Sequence, residues 1–262
     1  RKESSAASDV YKRQGLGVMG FHSYLQQHSI PLESVMSKAW NKKIFKHIQQ
    51  HVDQASKDLA DERGPCPDAA DYGCNERFSN KTAIAPTASI SIICGGAYPG
   101  VEPVAANSYT HKTLSGSFNV KNRYLVALLE KHGKNTDEVW SEITTNQGSV
   151  SHLDFLTDLE KDVFKTAFEL DQKWIIELSG DRTPYISQAQ SINLFVPADI
   201  HKRELHKIHF DAWKKGLKSL YYCRSKSIQR AENVNDTKAT DVTTNVYKSK
   251  PQTTEQPEYE EC

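Results

Sequence analysis

The sequence predicts an α/β fold that is rich in helices and ends in a polar tail. Apolar residues recur with a period of about 3.6 across 33–63, which predicts one long helix that ends at Gly64 and Pro65. A strand, a helix and a second strand follow one another within 191–225, an order typical of parallel strands joined by a crossover. Residues 231–262 contain almost no large apolar side chains, and we therefore expect a flexible tail there.

The remaining elements follow from periodicity and from chain breakers. Residues 82–100 predict a buried strand, a turn and a short helix or loop, because the glycines at 95–96 and the Pro-Gly at 99–100 permit a tight bend. Further helices are expected near 121–132, 136–146, 158–179 and 198–216, with strands at 191–196 and in "LKSLYYCRS".

We divide the chain into three parts. Residues 1–14, "RKESSAASDVYKRQ", match nothing that follows and resemble the translated adapter sequence that contaminates assembled environmental sequences, so we set them aside as a non-native leader. Residues 15–230 form the folded part, and 231–262 form the tail. We therefore expect a fragment of a longer natural chain.

Composition excludes several classes of protein. The chain has 262 residues, and 33 Lys and Arg balance 33 Asp and Glu, so neither a nucleic-acid binder nor a membrane-surface binder is indicated. The sequence has no apolar run near the roughly 20 residues that span a bilayer, and it has no signal-peptide core. Five irregularly spaced cysteines favour reduced thiols and a cytoplasmic location.

The glycines at Gly15, Gly17 and Gly20 have the G-x-G-x-x-G spacing of a dinucleotide site. That site also needs a strand before the glycines and an acidic residue that closes a second strand about 20 residues later. Only the leader precedes Gly15, and a long helix follows. We interpret these glycines as close helix packing, and a nicotinamide dehydrogenase is the least favoured function.

The histidines and cysteines give no metal site. His47 and His51 have a zinc-compatible spacing on a helix, but the glutamate of H-E-x-x-H is a glutamine here and no third ligand is evident. Cys66 and Cys74 lack the spacing of a zinc knuckle. We interpret the histidines as ordinary helix residues and assign no metal ligands.

The segment "APTASIS" (85–91) has two interpretations. Pro86 ends the strand, and Thr87 and Ser89 place hydroxyl groups beside free backbone amides at the start of a short helix. This arrangement can hold a phosphate, or it can be a simple capping turn. Spacing alone favours neither.

Tyr221 and Tyr222 are adjacent in the second predicted strand, where neighbouring side chains point to opposite faces. A tyrosine has a pKa of about 10, so it must release a proton when it loses an electron at pH 7. Two phenols in contact can pass on both. On these residues alone, a packing role is favoured, because tyrosine is common in strands.

Taken together, these segments resemble the C-terminal part of the class I ribonucleotide reductase large (α) subunit. "APTASISIICGGAYPGVEPVAANSYTHKTLSGSFNVKN" is similar to that family's Pro-Thr-Ala-Ser-Thr phosphate loop and the "EP…Y…LSG.F" that follows it. "YISQAQSINLF…HFDAWKKGLKSLYYCRS" is similar to its "QSQSLN…GWK.GLK…YY.R" segment. The resemblance covers about 15–232 and implies the C-terminal half of a ten-stranded α/β barrel.

The resemblance implies a reduction of ribonucleoside diphosphates to deoxyribonucleotides for DNA precursor synthesis. It makes Tyr221 and Tyr222 the end of a radical relay from the small (β) subunit, whose dimetal centre holds the radical. It makes Cys262 one of two tail cysteines that thioredoxin or glutaredoxin recharges. The family often has Thr where Ile90 stands, so that position offers only its amide. The implied diphosphate-binding residues are Pro86, Thr87, Ala88, Ser89 and Ile90.

The family's Asn-x-Cys-x-Glu motif, which bears the thiyl radical, is not in this sequence. We therefore expect this chain alone to be inactive. The resemblance also implies that the chain itself binds no cofactor, and that it belongs to a large-subunit homodimer whose ATP and dNTP effectors bind upstream.

Two rival functions stay open. One is a cobalamin-dependent reductase of the same superfamily, which needs no relay between subunits. The other is a non-catalytic nucleotide-binding or scaffold domain.

Overall fold

The computed structural model describes residues 13–113 and 116–225. Both the predicted tail and residues 1–12 of the predicted leader lie outside these ranges. The helices are α1 (Phe21–Gln27), α2 (Val35–Arg63), α3 (Pro67–Asp71), α4 (Ile90–Ile93), α5 (Arg123–Lys131), α6 (Asp137–Thr145), α7 (Asp158–Val163), α8 (Gln172–Arg182) and α9 (Lys202–Lys214). The strands are β1 (Arg13–Leu16), β2 (Asn80–Thr82), β3 (Ser108–Thr113), β4 (Gly116–Lys121), β5 (Leu194–Val196) and β6 (Cys223–Ser225).

Four strands form a parallel arrangement in the order β1-β2-β5-β6. β1 pairs with β2 and β5 pairs with β6, and both pairs are parallel. A parallel bridge between Ile84 and Gln190 joins the two pairs, with the Ile84 amide donating to the Ala189 carbonyl at 3.1 Å. Helices fill each crossover, as parallel strands require. The βαβ unit predicted at the C-terminal end is confirmed as β5, α9 and β6.

The periodicity predicted most of the helices. The helix expected over 33–63 is α2, and Ser34 caps it by accepting the Ser37 amide. The prediction of one helix near 158–179 is wrong, because the chain breaks there into α7 and α8. Each has its own cap, since Thr157 forms a capping box with Glu160 and Asp171 accepts the Lys173 amide. The antiparallel β3–β4 hairpin was not predicted.

Three apolar clusters hold these elements. The main one, between the parallel strands and α1, α2 and α8, includes Phe21, Leu25, Phe45 and Ile192. A second lies among α5, α6 and α7, and a third lies between β5 and α9. Within the described ranges, no helix is long and apolar enough to cross a membrane.

Arg182 is a cation buried within the main cluster. Its side chain is 2% exposed, and its nitrogens donate to three neutral oxygens: Oε1 of Gln190 at 2.6 Å, Oδ1 of Asn41 at 3.0 Å and Oγ of Ser179 at 2.9 Å. Burial lowers the pKa of Arg182 to about 9, so the guanidinium still carries its charge at neutral pH. It ties α8 to α2 and to the segment that precedes β5.

The glycine motif lies at a strand rather than at a helix–helix contact, which corrects the packing interpretation. Gly15 belongs to β1, so this strand begins within the predicted leader. A Cβ atom on Gly17 would stand 2.4 Å from the carbonyl oxygen of Ala83. Gly20 caps α1 with φ of 78°, a conformation that favours glycine. α2 follows α1 directly, so the second strand of a dinucleotide site is not found at this place.

Gly17→Ala should therefore destabilise the chain, since a backbone carbonyl cannot move away as a side chain can. We expect a loss of about 1–3 kcal/mol in the free energy of unfolding. Gly15→Ala is the matched control, because its Cβ would lie at an ordinary 3.6 Å from the Ala83 Cβ. Thermal unfolding of the two variants checks this, and equal melting temperatures would contradict the close approach at Gly17.

Candidate functional site

The predicted phosphate loop connects Ile84 to α4. Thr87 has φ of 51°, in the left-handed region that few branched residues adopt. Its Oγ1 accepts a hydrogen bond from the Gly100 amide at 2.8 Å, and its carbonyl accepts one from the Ser91 amide at 3.0 Å. These bonds fix the turn, so the sequence Thr-Ala-Ser forms a loop of defined shape.

The loop presents open donors. Ala88 and Ser89 are exposed, and their amides donate to no residue that the structure describes. The Ser89 side chain makes no capping hydrogen bond, so its hydroxyl is also available. α4 is only four residues long, so any anion here must be held by these individual donors rather than by a helix dipole. The loop therefore has donors available to an anion, as the phosphate interpretation of 85–91 requires.

The two tyrosines are in contact. Their ring centroids lie 4.1 Å apart at an interplanar angle of 53°, and the Tyr221 hydroxyl donates to the Tyr222 hydroxyl at 3.4 Å. This hydrogen bond raises the pKa of Tyr221. Both rings are about half exposed. β6 begins at Cys223, so the pair precedes the strand and does not follow the opposite-face rule that their predicted strand position implied.

Two residues that the sequence did not single out hold Tyr222. Its amide donates to Oδ1 of Asn193 at 3.0 Å, and Nδ2 of Asn193 donates to Oε1 of Glu102 at 2.6 Å. Burial raises the pKa of Glu102, while Asn193 and the charge of Arg224 act in the opposite direction. The Arg224 guanidinium also lies 5.9 Å from the Tyr222 ring centroid. Both residues lie in the motifs that resemble the family, Glu102 in "EP" and Asn193 in "QSIN", and this was the signal that could have found them.

A short segment, 100–104, lies between the loop and the tyrosines. Its first residue, Gly100, bonds to Thr87, and its third, Glu102, bonds to Asn193. Val104 donates its amide to Nδ1 of His22 at 2.9 Å. Burial lowers the pKa of His22 to about 3, so this histidine remains a neutral acceptor at pH 7. α1 therefore anchors the segment.

The other candidates are not brought together. His47 and His51 are exposed, with ring centroids 4.3 Å apart, and no group of three or more potential ligands occurs in 13–113 or 116–225. Cys66, Cys74, Cys94 and Cys223 are free thiols. Cys262 lies outside the described residues.

A cleft of about 230 Å³ lies between α2 and β2, and its lining includes neither Tyr221, nor Tyr222, nor any residue of the phosphate loop. The Lys81 ammonium group in this cleft is paired with Asp53 and Glu76. The cleft therefore offers no free cation to an anionic ligand.

Comparison with known proteins gives the family. The family model of the ribonucleotide reductase barrel domain matches residues 2–73 and 69–223. The chain belongs to this family. It is 50% identical over 224 residues to the ribonucleoside-diphosphate reductase large subunit of Invertebrate iridescent virus 6. It is 30% identical over 256 residues to the large subunit of Danio rerio.

Solved structures agree with this family. The Actinobacillus ureae class Id ribonucleotide reductase α subunit matches this chain with a TM-score of 0.78, and the two are 38% identical over 87% of this chain. The predicted family and barrel-type fold are confirmed. The chain spans 23% of the iridescent virus protein, 32% of the Danio rerio protein and 42% of the A. ureae chain.

Proposed function

We propose that this chain is the C-terminal part of the large subunit of a class I ribonucleoside-diphosphate reductase. The observation that carries the proposal is the contact between Tyr221 and Tyr222 in a chain of this family. In the reaction, the 2′-hydroxyl of the ribose leaves as water, hydrogen takes its place, and a pair of thiols is oxidised to a disulfide.

The tyrosine pair serves as the radical relay. In the relay step, the tyrosyl radical on one residue takes an electron and the hydroxyl proton from the other, so the first becomes a phenol again and the second becomes the radical. The two hydroxyl oxygens lie 3.4 Å apart. The partner is a small subunit, whose dimetal centre supplies the oxidising equivalent. Because both rings are about half exposed, the pair is accessible to electron transfer from a docked protein.

The phosphate loop holds the diphosphate of the substrate. The amides of Ala88 and Ser89 and the Ser89 hydroxyl are the donors, and Pro86 and Ile90 flank them as parts of the same turn. Thr87 fixes the shape of the turn through its bond with Gly100. Charged oxygens accept such hydrogen bonds more strongly than neutral ones do.

The remaining roles complete the proposed cycle. Cys262 belongs to the tail thiol pair that passes electrons from thioredoxin or glutaredoxin to the active-site disulfide. The subunit is a cytoplasmic homodimer, and its ATP and dNTP effectors bind outside this chain.

Thr87→Ala should weaken substrate binding, because it removes the acceptor that holds the turn against Gly100. The net value of one hydrogen bond is about 1 kcal/mol, so we expect the KM for the nucleoside diphosphate to rise by up to about tenfold. Thr145→Ala, an exposed threonine on α6, is the control. An unchanged KM in the assembled reductase contradicts the proposed role of Thr87.

The function is tested with the complete large subunit, obtained by extending the coding sequence on both sides, together with its small subunit and thioredoxin. We expect formation of deoxyribonucleoside diphosphate that depends on the small subunit. Turnover that instead requires adenosylcobalamin and no small subunit would identify the cobalamin-dependent rival. Nucleotide binding without any turnover would identify the binding-domain rival.

A further inference from the structure

We propose that Glu102 and Asn193 form a positioning pair that holds Tyr222 in contact with Tyr221. This inference rests on the proposed relay function and adds two residues to it. Both residues act through the main chain of Tyr222, since Asn193 accepts the Tyr222 amide and Glu102 accepts from Asn193.

The amide of Tyr222 lacks the backbone acceptor that the Tyr221 amide has, although the Tyr222 carbonyl accepts the Leu194 amide at 2.9 Å. The Tyr221 amide donates to the Ile192 carbonyl at 2.8 Å, a backbone bond of the kind that joins β5 and β6. The Tyr222 amide instead donates to a side chain, Oδ1 of Asn193. The orientation of the peptide that joins Tyr221 to Tyr222 therefore depends, at the Tyr222 amide, on one amide side chain.

Glu102 fixes the orientation of that amide side chain. Asn193 is 2% exposed, and its two ends differ only in that the oxygen accepts and the nitrogen donates. A carboxylate can only accept, so Glu102 selects the rotamer with Nδ2 toward itself and Oδ1 toward Tyr222. Without Glu102, Nδ2 of Asn193 loses its acceptor, and the Tyr222 amide alone is left to favour this orientation of the side chain.

The charges around the pair show why a glutamate serves here. Glu102 lies on one side, and Arg224 lies close enough to favour its ionised form and 5.9 Å from the Tyr222 ring centroid. Burial disfavours the ionised carboxylate of Glu102 and raises its pKa, while the Asn193 hydrogen bond and the Arg224 charge favour the ionised, accepting form. The tyrosine centroids are only 4.1 Å apart, so a small rotation of the Tyr222 peptide separates the rings.

The test uses the complete large subunit assembled with its small subunit. Glu102→Ala removes the acceptor, and Glu102→Asp withdraws it by one methylene while keeping the charge. Glu102→Gln keeps an acceptor oxygen at the same distance. Glu62→Ala, an exposed glutamate at the end of α2, is the control.

We expect Glu102→Ala and Glu102→Asp to lower kcat by about 10-fold to about 100-fold, as small misplacements of reacting groups do, with little change in KM. Residue-resolved hydrogen exchange should show the Tyr222 amide exchanging at least about tenfold faster, while the Tyr221 amide keeps its protection. Glu102→Gln should restore most of both properties. If Glu102→Ala does not fold, the Asp and Gln variants carry the comparison.

Unchanged exchange at Tyr222 together with unchanged kcat in Glu102→Asp overturns the inference. Loss of activity with equal deprotection of Tyr221 and Tyr222 also overturns it, because the glutamate would then support the whole strand. Failure of the proposed function has a different signature from failure of this inference. If the proposed function is wrong, the wild-type assembly and the Glu62→Ala control form no product.

Discussion

Replacing either tyrosine of the pair with phenylalanine should reduce turnover of the assembled reductase to background. Phenylalanine keeps the ring but has no phenol, so it cannot be oxidised by loss of an electron and a proton as tyrosine can. The measurement is formation of deoxyribonucleoside diphosphate by the complete large subunit, carrying Tyr221→Phe or Tyr222→Phe, with its small subunit. Tyr72→Phe, at a tyrosine that is 85% exposed, makes the same chemical change elsewhere.

These variants should remain folded. Both hydroxyls lie at the surface and bond to each other, so their removal should change the free energy of unfolding by less than about 0.5 kcal/mol. Loss of activity at an unchanged melting temperature then identifies a chemical role. Full activity in either variant refutes the relay, and with it the strongest support for a class I reductase.

Arg182→Met should produce the largest loss of stability. Methionine fills much of the same volume between Phe21 and Phe45, but it leaves Oδ1 of Asn41 and Oε1 of Gln190 without their donor. Hydrogen bonds to charged groups are each worth about 1.5–3 kcal/mol. Relief of the buried charge offsets part of this loss. We expect a net loss of about 3 kcal/mol.

For a domain of this size, that loss corresponds to a fall of roughly 6–12 °C in the melting temperature. Arg203→Met, on the exposed face of α9, should leave the melting temperature nearly unchanged. A similar small shift for Arg182→Met would show that the buried network contributes little to the stability of the chain.

The parts of the fold that the sequence predicted are those with a local signal. α2 repeats its apolar positions over many turns, and Gly64 marks its end. The division between α7 and α8 was missed because apolar residues continue at helical spacing through 164–170, while the caps at Thr157 and Asp171 decide the boundaries. The β3–β4 hairpin was missed because its sequence is rich in polar residues and lacks a clear alternation.

The candidate site also contains residues that the sequence predicted and residues that only the structure revealed. Adjacent tyrosines and a Thr-Ala-Ser turn are visible as short strings, and their chemistry follows from residue type. Glu102 and Asn193 are 91 positions apart, and only the folded chain brings a carboxylate to that amide. The periodicity of a single helix or strand cannot reveal this contact, because it forms only when distant parts of the chain fold together.

The 100–104 segment has a consequence for how the two halves of the site communicate. Gly100 is hydrogen-bonded to Thr87 of the loop, and Glu102 is connected to Tyr222 through Asn193. Only two peptide units separate Gly100 from Glu102. A ligand that shifts the loop therefore changes the free energy of the tyrosine arrangement, to the extent that it binds one arrangement better. Linkage is reciprocal, so whatever factor substrate exerts on the tyrosines, the tyrosine arrangement must exert on substrate affinity.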